Sequence, residues 1–379
     1  MTRACQQENT MDVKKLPTLY GMDTKGRIKV WKIATKGDEI ISRSGLQGGT
    51  LTETRAYAEA KNVGRANETS AEEQAEKQAL SKWKAKYKKQ YREQLSQLSN
   101  LPVLPQLALD YLKAGHRATY PAIAQPKLNG MRGLRNNNDH TFRSRENNVI
   151  RTLHHIEKQL NWLEENCPYC FGRIDGEFYI HGYHLSDIIS LIKRHQEDET
   201  KLSLYIFDIY MKGLRQQERI DGLELIRAWM ANNEEYVAMH APNIKVVESK
   251  VVNSEDEFLD YQHECERKGF EGAMLRDPKA EYVSGPAKTT AIFKRKSFQD
   301  DEFVIQDISE GSEGRAVLHF KTNNRPFKAE MIGSDEVTAE VFRNRDEYIG
   351  KLATVKYQEL SKYGVPTIGV KALVIRDYE

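Results

Sequence analysis

From Glu72 to Leu98 the chain has neither glycine nor proline, and then two prolines arrive within one pentapeptide, Leu101-Pro102-Val103-Leu104-Pro105. Proline fixes φ and has no amide hydrogen, so a helix that reaches this point cannot continue through it. The break divides the chain into a short N-terminal piece closing in a helix and a longer piece that starts afresh. With 379 residues, 39% of them hydrophobic, there is material for two or three cores.

In the first piece, residues 1–15 are polar and are expected to be flexible. Residues 19–23, 26–33 and 39–45 read as strands. Ser70 followed by Glu73 forms a capping box, which predicts a helix over residues 72–98. Lys82, Lys84, Lys86, Lys88 and Lys89 lie along it, while Glu68, Glu72, Glu73 and Glu76 precede them. That segregation suits the helix dipole, so a solvated face is the plain explanation. The basic density exceeds what capping needs, which favours contact with DNA phosphates by these five lysines.

Beyond the linker the texture is mixed. Residues 107–114 read as a short helix, and 122–125 as the strand that delivers Lys127. Residues 171–180 and 202–210 read as further strands, with helices near 219–232 and 255–268 outside them. The expectation is an α+β domain with an antiparallel core. After Lys296, residues 302–308, 315–321, 327–331 and 353–357 alternate apolar and polar, punctuated by Gly311, Gly314, Gly333 and Gly350. A five-stranded barrel of the OB type fits this pattern.

Several classes are disfavoured. No run approaches eighteen apolar residues and the N-terminus lacks a leader pattern, so no membrane partner and an intracellular location are expected. Four cysteines, Cys5, Cys167, Cys170 and Cys265, are too scattered for a disulfide framework. Cys167-Pro168-Tyr169-Cys170 has neither a second such pair nor nearby histidines for zinc, and reads as a reduced structural pair. His154-His155 reads as surface. A net charge of +2 permits DNA binding only through an uneven distribution of charge.

The chemistry concentrates in five clusters: Gln125-Pro126-Lys127-Leu128-Asn129-Gly130-Met131-Arg132, then Asp175-Gly176-Glu177-Phe178, Tyr205-Ile206-Phe207-Asp208, Glu271-Gly272-Ala273-Met274-Leu275-Arg276 and Phe293-Lys294-Arg295-Lys296. A lysine near pKa 10.4 is almost wholly protonated at neutral pH, and only its neutral amine attacks phosphorus. Arg132, Lys294 and Lys296 are cations that disfavour the ammonium and stabilise phosphoryl oxygens. Glu177 and Glu271 are hard oxygen ligands for magnesium.

In this order the clusters resemble the covalent nucleotidyltransferases, and above all the ATP-dependent DNA ligases, over residues 120–379. The resemblance implies Lys127 as the adenylylated nucleophile, with Gln125, Arg132, Glu177, Phe207, Lys294 and Lys296 as nucleotide contacts. It implies Phe207 stacked on adenine, Arg132 and Arg145 on the nick phosphate, and Glu177 with Glu271 at the metal. ATP and magnesium, with manganese as a substitute, are the implied cofactors. Nicked duplex DNA is the implied partner of a monomer that encircles it in the cytoplasm of a bacterium or an infected cell. Residues 16–100 resemble a WGR-type DNA-binding module, 101–297 the adenylation domain and 298–379 the OB-fold domain.

Three departures stand out. Asn129 replaces the usual aspartate, Gln125 a usual glutamate, and Thr367 the arginine expected after Gly364-Val365-Pro366, with Lys371 or Arg376 as substitutes. The alternatives are an RNA ligase with the same core, a capping guanylyltransferase, and a non-catalytic DNA-binding protein on a ligase scaffold.

Overall fold

A computed structural model of the chain describes residues 13–376 apart from 24, 137, 138, 171, 195–199 and 286. Most of the N-terminal stretch expected to be flexible, including Cys5, lies outside the described residues. The chain forms two compact units. Residues 1–107 make the first together with 143–149 and 283–287, and residues 108–142, 150–282 and 288–379 make the second.

The first unit is an antiparallel sheet of β1 (Lys14–Lys15), β2 (Leu19–Met22), β3 (Ile28–Lys36), β4 (Glu39–Leu46) and β5 (Thr52–Tyr57), with helix α1 (Ala71–Lys88) beside it. Leu19, Trp31, Ile33, Ile40, Ala75 and Ala79 form its core. The capping box is present, since Ser70 Oγ accepts from the Glu73 amide at 3.1 Å and the Glu73 carboxylate accepts from the Ser70 amide at 3.1 Å.

One expectation fails here, and one strand was not foreseen. The helix stops at Lys88 and not at Leu98, because Tyr20 and Arg92 exchange backbone hydrogen bonds of 2.7 and 2.8 Å that a helical Arg92 could not make. Strand β5 was unforeseen because nearly all of Thr52–Tyr57 is exposed, which leaves no apolar alternation to read.

The second unit holds two sheets. One has the order β14-β7-β15-β16-β6, from β6 (Leu107–Asp110), β7 (Ala122–Lys127), β14 (Lys250–Val252), β15 (Gly272–Arg276) and β16 (Lys288–Arg295). The other has the order β10-β9-β8-β11-β12-β13, from β8 (Met131–Asn136), β9 (Thr141–Arg143), β10 (Val149–Ile150), β11 (Arg173–Tyr179), β12 (Ser203–Tyr210) and β13 (Ile244–Val246). Helices α3 (His154–Asn166), α4 (Leu185–Lys193), α5 (Gln216–Asn232), α6 (Glu234–His240) and α7 (Glu255–Arg267) complete this part.

The helix expected over 107–114 is a correction. Leu107–Asp110 is the edge strand β6, and helix α2 covers only Tyr111–Ala114, because the Asp110 carboxylate accepts from the Leu112 amide at 3.1 Å and starts the turn there.

Register sets the site. Across β7 and β15, Lys127 faces Gly272 and Gln125 faces Met274; across β8 and β11, Arg132 faces Glu177. Gly130 makes the turn between β7 and β8 possible, since a Cβ there would lie 2.2 Å from the Phe178 carbonyl oxygen. Gly272, at φ +146°, is equally constrained, with the Arg295 carbonyl oxygen 2.3 Å from any Cβ.

The last strands form a closed barrel in the order β17-β18-β19-β23-β20, built from β17 (Gln299–Glu310), β18 (Ala316–Thr322), β19 (Arg325–Met331), β20 (Leu352–Tyr357) and β23 (Lys371–Ile375). Ile305, Leu318, Phe320, Ala353 and Val355 fill it, with helix α8 (Asp335–Arg343) packed alongside. Between β20 and β23 the chain makes a small hairpin of β21 (Glu359–Leu360) and β22 (Pro366–Thr367).

Candidate active site

Strand β7 ends at Lys127, whose amine is ion-paired with Glu271 at the start of β15. The other carboxylate oxygen of Glu271 accepts from Lys296 Nζ at 2.6 Å. The Glu271 amide donates to the Lys127 carbonyl at 3.0 Å, so backbone pairing and side-chain pairing hold the same two residues together. Burial raises the Glu271 carboxyl, but the two ammonium groups outweigh it and hold it below the usual glutamate value. Lys294 stands two residues before Lys296. Burial lowers its pKa, and the positive charges of Lys127 and Lys296 lower it further. It makes no hydrogen bond or ion pair among the described residues.

Strands β8 and β11 supply the second group. Arg132 grips Asp175 with both Nε, at 2.8 Å, and a terminal nitrogen. The Tyr282 hydroxyl donates to the same carboxylate at 2.6 Å. Desolvation works against the Arg132 charge, yet Asp175 more than compensates and raises its pKa. Glu177 differs from Glu271. Burial pushes its carboxyl up to about 7 against the pull of Arg132 and Lys127, and it makes no hydrogen bond among the described residues. It is a desolvated acid within the electrostatic reach of Lys127 and of Glu271.

Behind these residues lies a polar network buried in the protein. Asp208 accepts from Arg219 Nε at 2.8 Å and from Arg276 at 3.0 Å. Arg276 Nε donates to Gln125 Oε1 at 2.7 Å, and the Gln125 amide donates to the Phe207 carbonyl and to Ser249 Oγ, each at 3.0 Å. Gln125 is thus anchored by its side chain, two residues before Lys127. The guanidinium carbons of Arg132 and Arg276 lie 4.9 and 5.4 Å from the Phe207 ring centroid. Asp175, Asp208, Arg276 and Tyr282 were not assigned roles from sequence. Their signal was a charge inside an otherwise apolar strand, as in Ile206-Phe207-Asp208-Ile209, which does not announce its partner.

A cavity of about 360 Å³ opens where Pro126 and Leu128 flank Lys127, with Tyr205, Val246, Ser249 and Phe270 in its lining. Phe207 does not line it. For a divalent cation, no three His, Cys, Asp or Glu side chains converge among the described residues. Two carboxylates with waters can suffice for magnesium, and Glu177 and Glu271 are two carboxylates within electrostatic reach of each other.

Other predicted residues fall elsewhere. Arg145 is exposed, on the 143–149 segment of the first unit. Among the five lysines of α1 and its end, Lys82 and Lys84 are exposed. Lys88 hydrogen-bonds the Asn148 side chain, Lys89 is ion-paired with Glu146, and Lys86 Nζ sits 4.8 and 5.5 Å from the ring centroids of Tyr91 and Trp31. Lys371 is ion-paired with Glu330, and Arg376 donates to Glu302 at 3.0 Å and Thr354 at 2.9 Å, so both proposed substitutes for the missing arginine are occupied within the barrel.

Residues 102–296 match the family described as the ATP dependent DNA ligase domain. The DNA ligase of African swine fever virus (isolate Warthog/Namibia/Wart80/1980) is 26% identical over 362 residues, covering 86% of this chain and 81% of the viral enzyme. Among solved structures, one from a study of Lig E DNA ligases superposes with a TM-score of 0.54 at 22% identity, covering 73% of this chain and 100% of the other. Another, named Pmar-Lig_PreS3, gives a TM-score of 0.58 at 17% identity, covering 73% of this chain and 69% of the other. These two structural likenesses carry the fold. No described helix is long and apolar enough to cross a membrane.

Proposed function

The chain belongs to the ATP-dependent DNA ligase family, and on that premise we propose that it seals 3′-hydroxyl, 5′-phosphate nicks in duplex DNA through a lysyl-AMP at Lys127. The observation that carries this reading is the Lys127–Glu271–Lys296 chain of charges, with Lys294 and the desolvated Glu177 beside it.

Lys127 Nζ attacks the α-phosphorus of ATP, forming a P–N bond as the P–O bond to pyrophosphate breaks. The amine must lose its proton to do so. Lys294, which makes no hydrogen bond or salt bridge among the described residues, is available to bind an α-phosphate oxygen, and Lys296 stabilises the charge that develops there. Magnesium or manganese, held by Glu177 and Glu271, would polarise the phosphoryl oxygens. The adenine has a place in the cavity beside Pro126 and Leu128, whose lining mixes apolar side chains with charged ones such as Glu248 and Lys250. An oxygen of the nick 5′-phosphate then attacks the adenylyl phosphorus and breaks the P–N bond. The 3′-hydroxyl attacks the activated 5′-phosphorus, and AMP leaves.

On this reading residues 101–297 are the adenylation domain, 298–379 the OB-fold domain and 16–100 a WGR-like DNA-binding module, acting as a monomer on nicked duplex. Arg132 is tied to Asp175, so its part is to orient that wall of the site; Arg145, an exposed arginine, is assigned to the nick phosphate. Incubation with α-labelled ATP and magnesium should leave a denaturation-resistant label on the wild-type chain and none on Lys127→Ala. An unlabelled wild type, or a labelled Lys127→Ala, overturns the proposal. Sealing of nicked RNA in preference to nicked DNA would overturn the substrate.

A further inference from the structure

Two of the three departures from the family pattern meet at one residue. Asn129, two positions after the nucleophile, donates from Nδ2 to Glu359 Oε1 at 3.0 Å. Glu359 pairs with Thr367 across the β21–β22 hairpin, and Thr367 Oγ1 donates to the Glu359 carbonyl at 3.0 Å. The same hairpin makes a second contact, Lys362 Nζ to Asp187 Oδ1 at 2.9 Å, but both side chains there are about 40% exposed (43% and 39%), where water screens the pair. The half-buried Asn129–Glu359 bond is therefore the more discriminating of the two.

We propose that Asn129, Glu359 and Thr367 form a clasp that seats the β21–β22 hairpin against the nucleophile turn, with Glu359 as a positioning residue for adenylyl transfer by Lys127. An amide must stand at 129 because it donates to a carboxylate. An aspartate there would set two carboxylates at hydrogen-bonding distance and drive the hairpin away. Threonine at 367 serves the same contact, since its hydroxyl fixes the short ladder that presents Glu359. The asparagine and the threonine are thus one linked change, and the residue that links them is Glu359.

This inference rests on the lysyl-AMP reading above. The test measures single-turnover labelling by α-labelled ATP on the full chain for wild type, Asn129→Asp, Glu359→Gln and the double variant. Asn129→Asp should slow labelling at least about tenfold near pH 8, because like charges in contact are strongly disfavoured. The loss should shrink as pH falls and the pair retains a proton. Glu359→Gln keeps an amide partner and should cost only about two- to threefold. The double variant should recover to within about threefold of wild type, because the introduced carboxylate then accepts from the introduced amide, the same bond with its ends exchanged. An Asn129→Asp protein as fast as wild type, or a double variant no faster than Asn129→Asp, overturns the clasp. Failure of the wild type to label overturns instead the reading on which it rests.

Discussion

Replacing Asp208 with asparagine should destabilise the second unit by about 3–5 kcal/mol, the range for breaking a buried ion pair by removing one partner. The carboxylate is 0% exposed and is shared by Arg219, also 0% exposed, and Arg276, 2% exposed. Asparagine has one acceptor oxygen where aspartate has two and cancels no charge, so both guanidinium groups would lose the carboxylate they are paired with. Arg276 also holds Gln125, so the strand that ends in Lys127 would loosen as well.

The sign of the pH dependence follows from the lowered pKa of Asp208. Burial raises it, and Arg276 and Arg219 more than reverse that effect. Its stabilisation is therefore fully present above the unfolded carboxylate value near 3.9 and is lost as pH falls through the still lower folded value. Hydrogen exchange at the β12 amides is the assay. Protection there should fall by about two to four powers of ten in Asp208→Asn, by the same amount at pH 8 and pH 5. A fall of less than tenfold, or a gap that closes between pH 8 and pH 5, would refute the argument that this network stores a buried charge.

Glu177→Gln should cut adenylylation about a hundredfold and abolish the rise in rate expected of wild type as pH climbs through about 7, while raising stability at pH 8, because a carboxyl whose folded value is raised to about 7 costs stability once ionised; a variant less stable than wild type at pH 8 contradicts it. Removing divalent cations with a chelator should abolish labelling of Lys127, and restoring magnesium or manganese should recover it. In nick binding, Lys82→Ala with Lys84→Ala should reduce the slope of log affinity against log salt by about 2, whereas Lys89→Ala should change it less because Lys89 is already paired with Glu146.

Residue order alone carried the candidate site residues and much of the architecture. Lys127, Glu177, Glu271, Lys294 and Lys296 could be singled out as candidates because the proposed chemistry needs an amine, hard carboxylates and cations, and the period-two alternation after Lys296 marked most of the barrel strands. Local signals failed where the deciding partner was remote. Nothing in residues 88–98 says that Arg92 will leave the helix to pair with Tyr20, and Thr52–Tyr57 is too polar on both faces to read as a strand.

The same limit hid the ionic partners. Lys127 and Glu271 lie 144 positions apart and meet only because β7 and β15 pair in one register, a long-range choice made by the whole core. Composition could name the charges, but whether Glu177 is desolvated, which arginines share Asp208, and that Asn129 donates to Glu359 depend on which strands close on which. Electrostatic energy in a protein is set by distance and burial, and tertiary structure alone determines both.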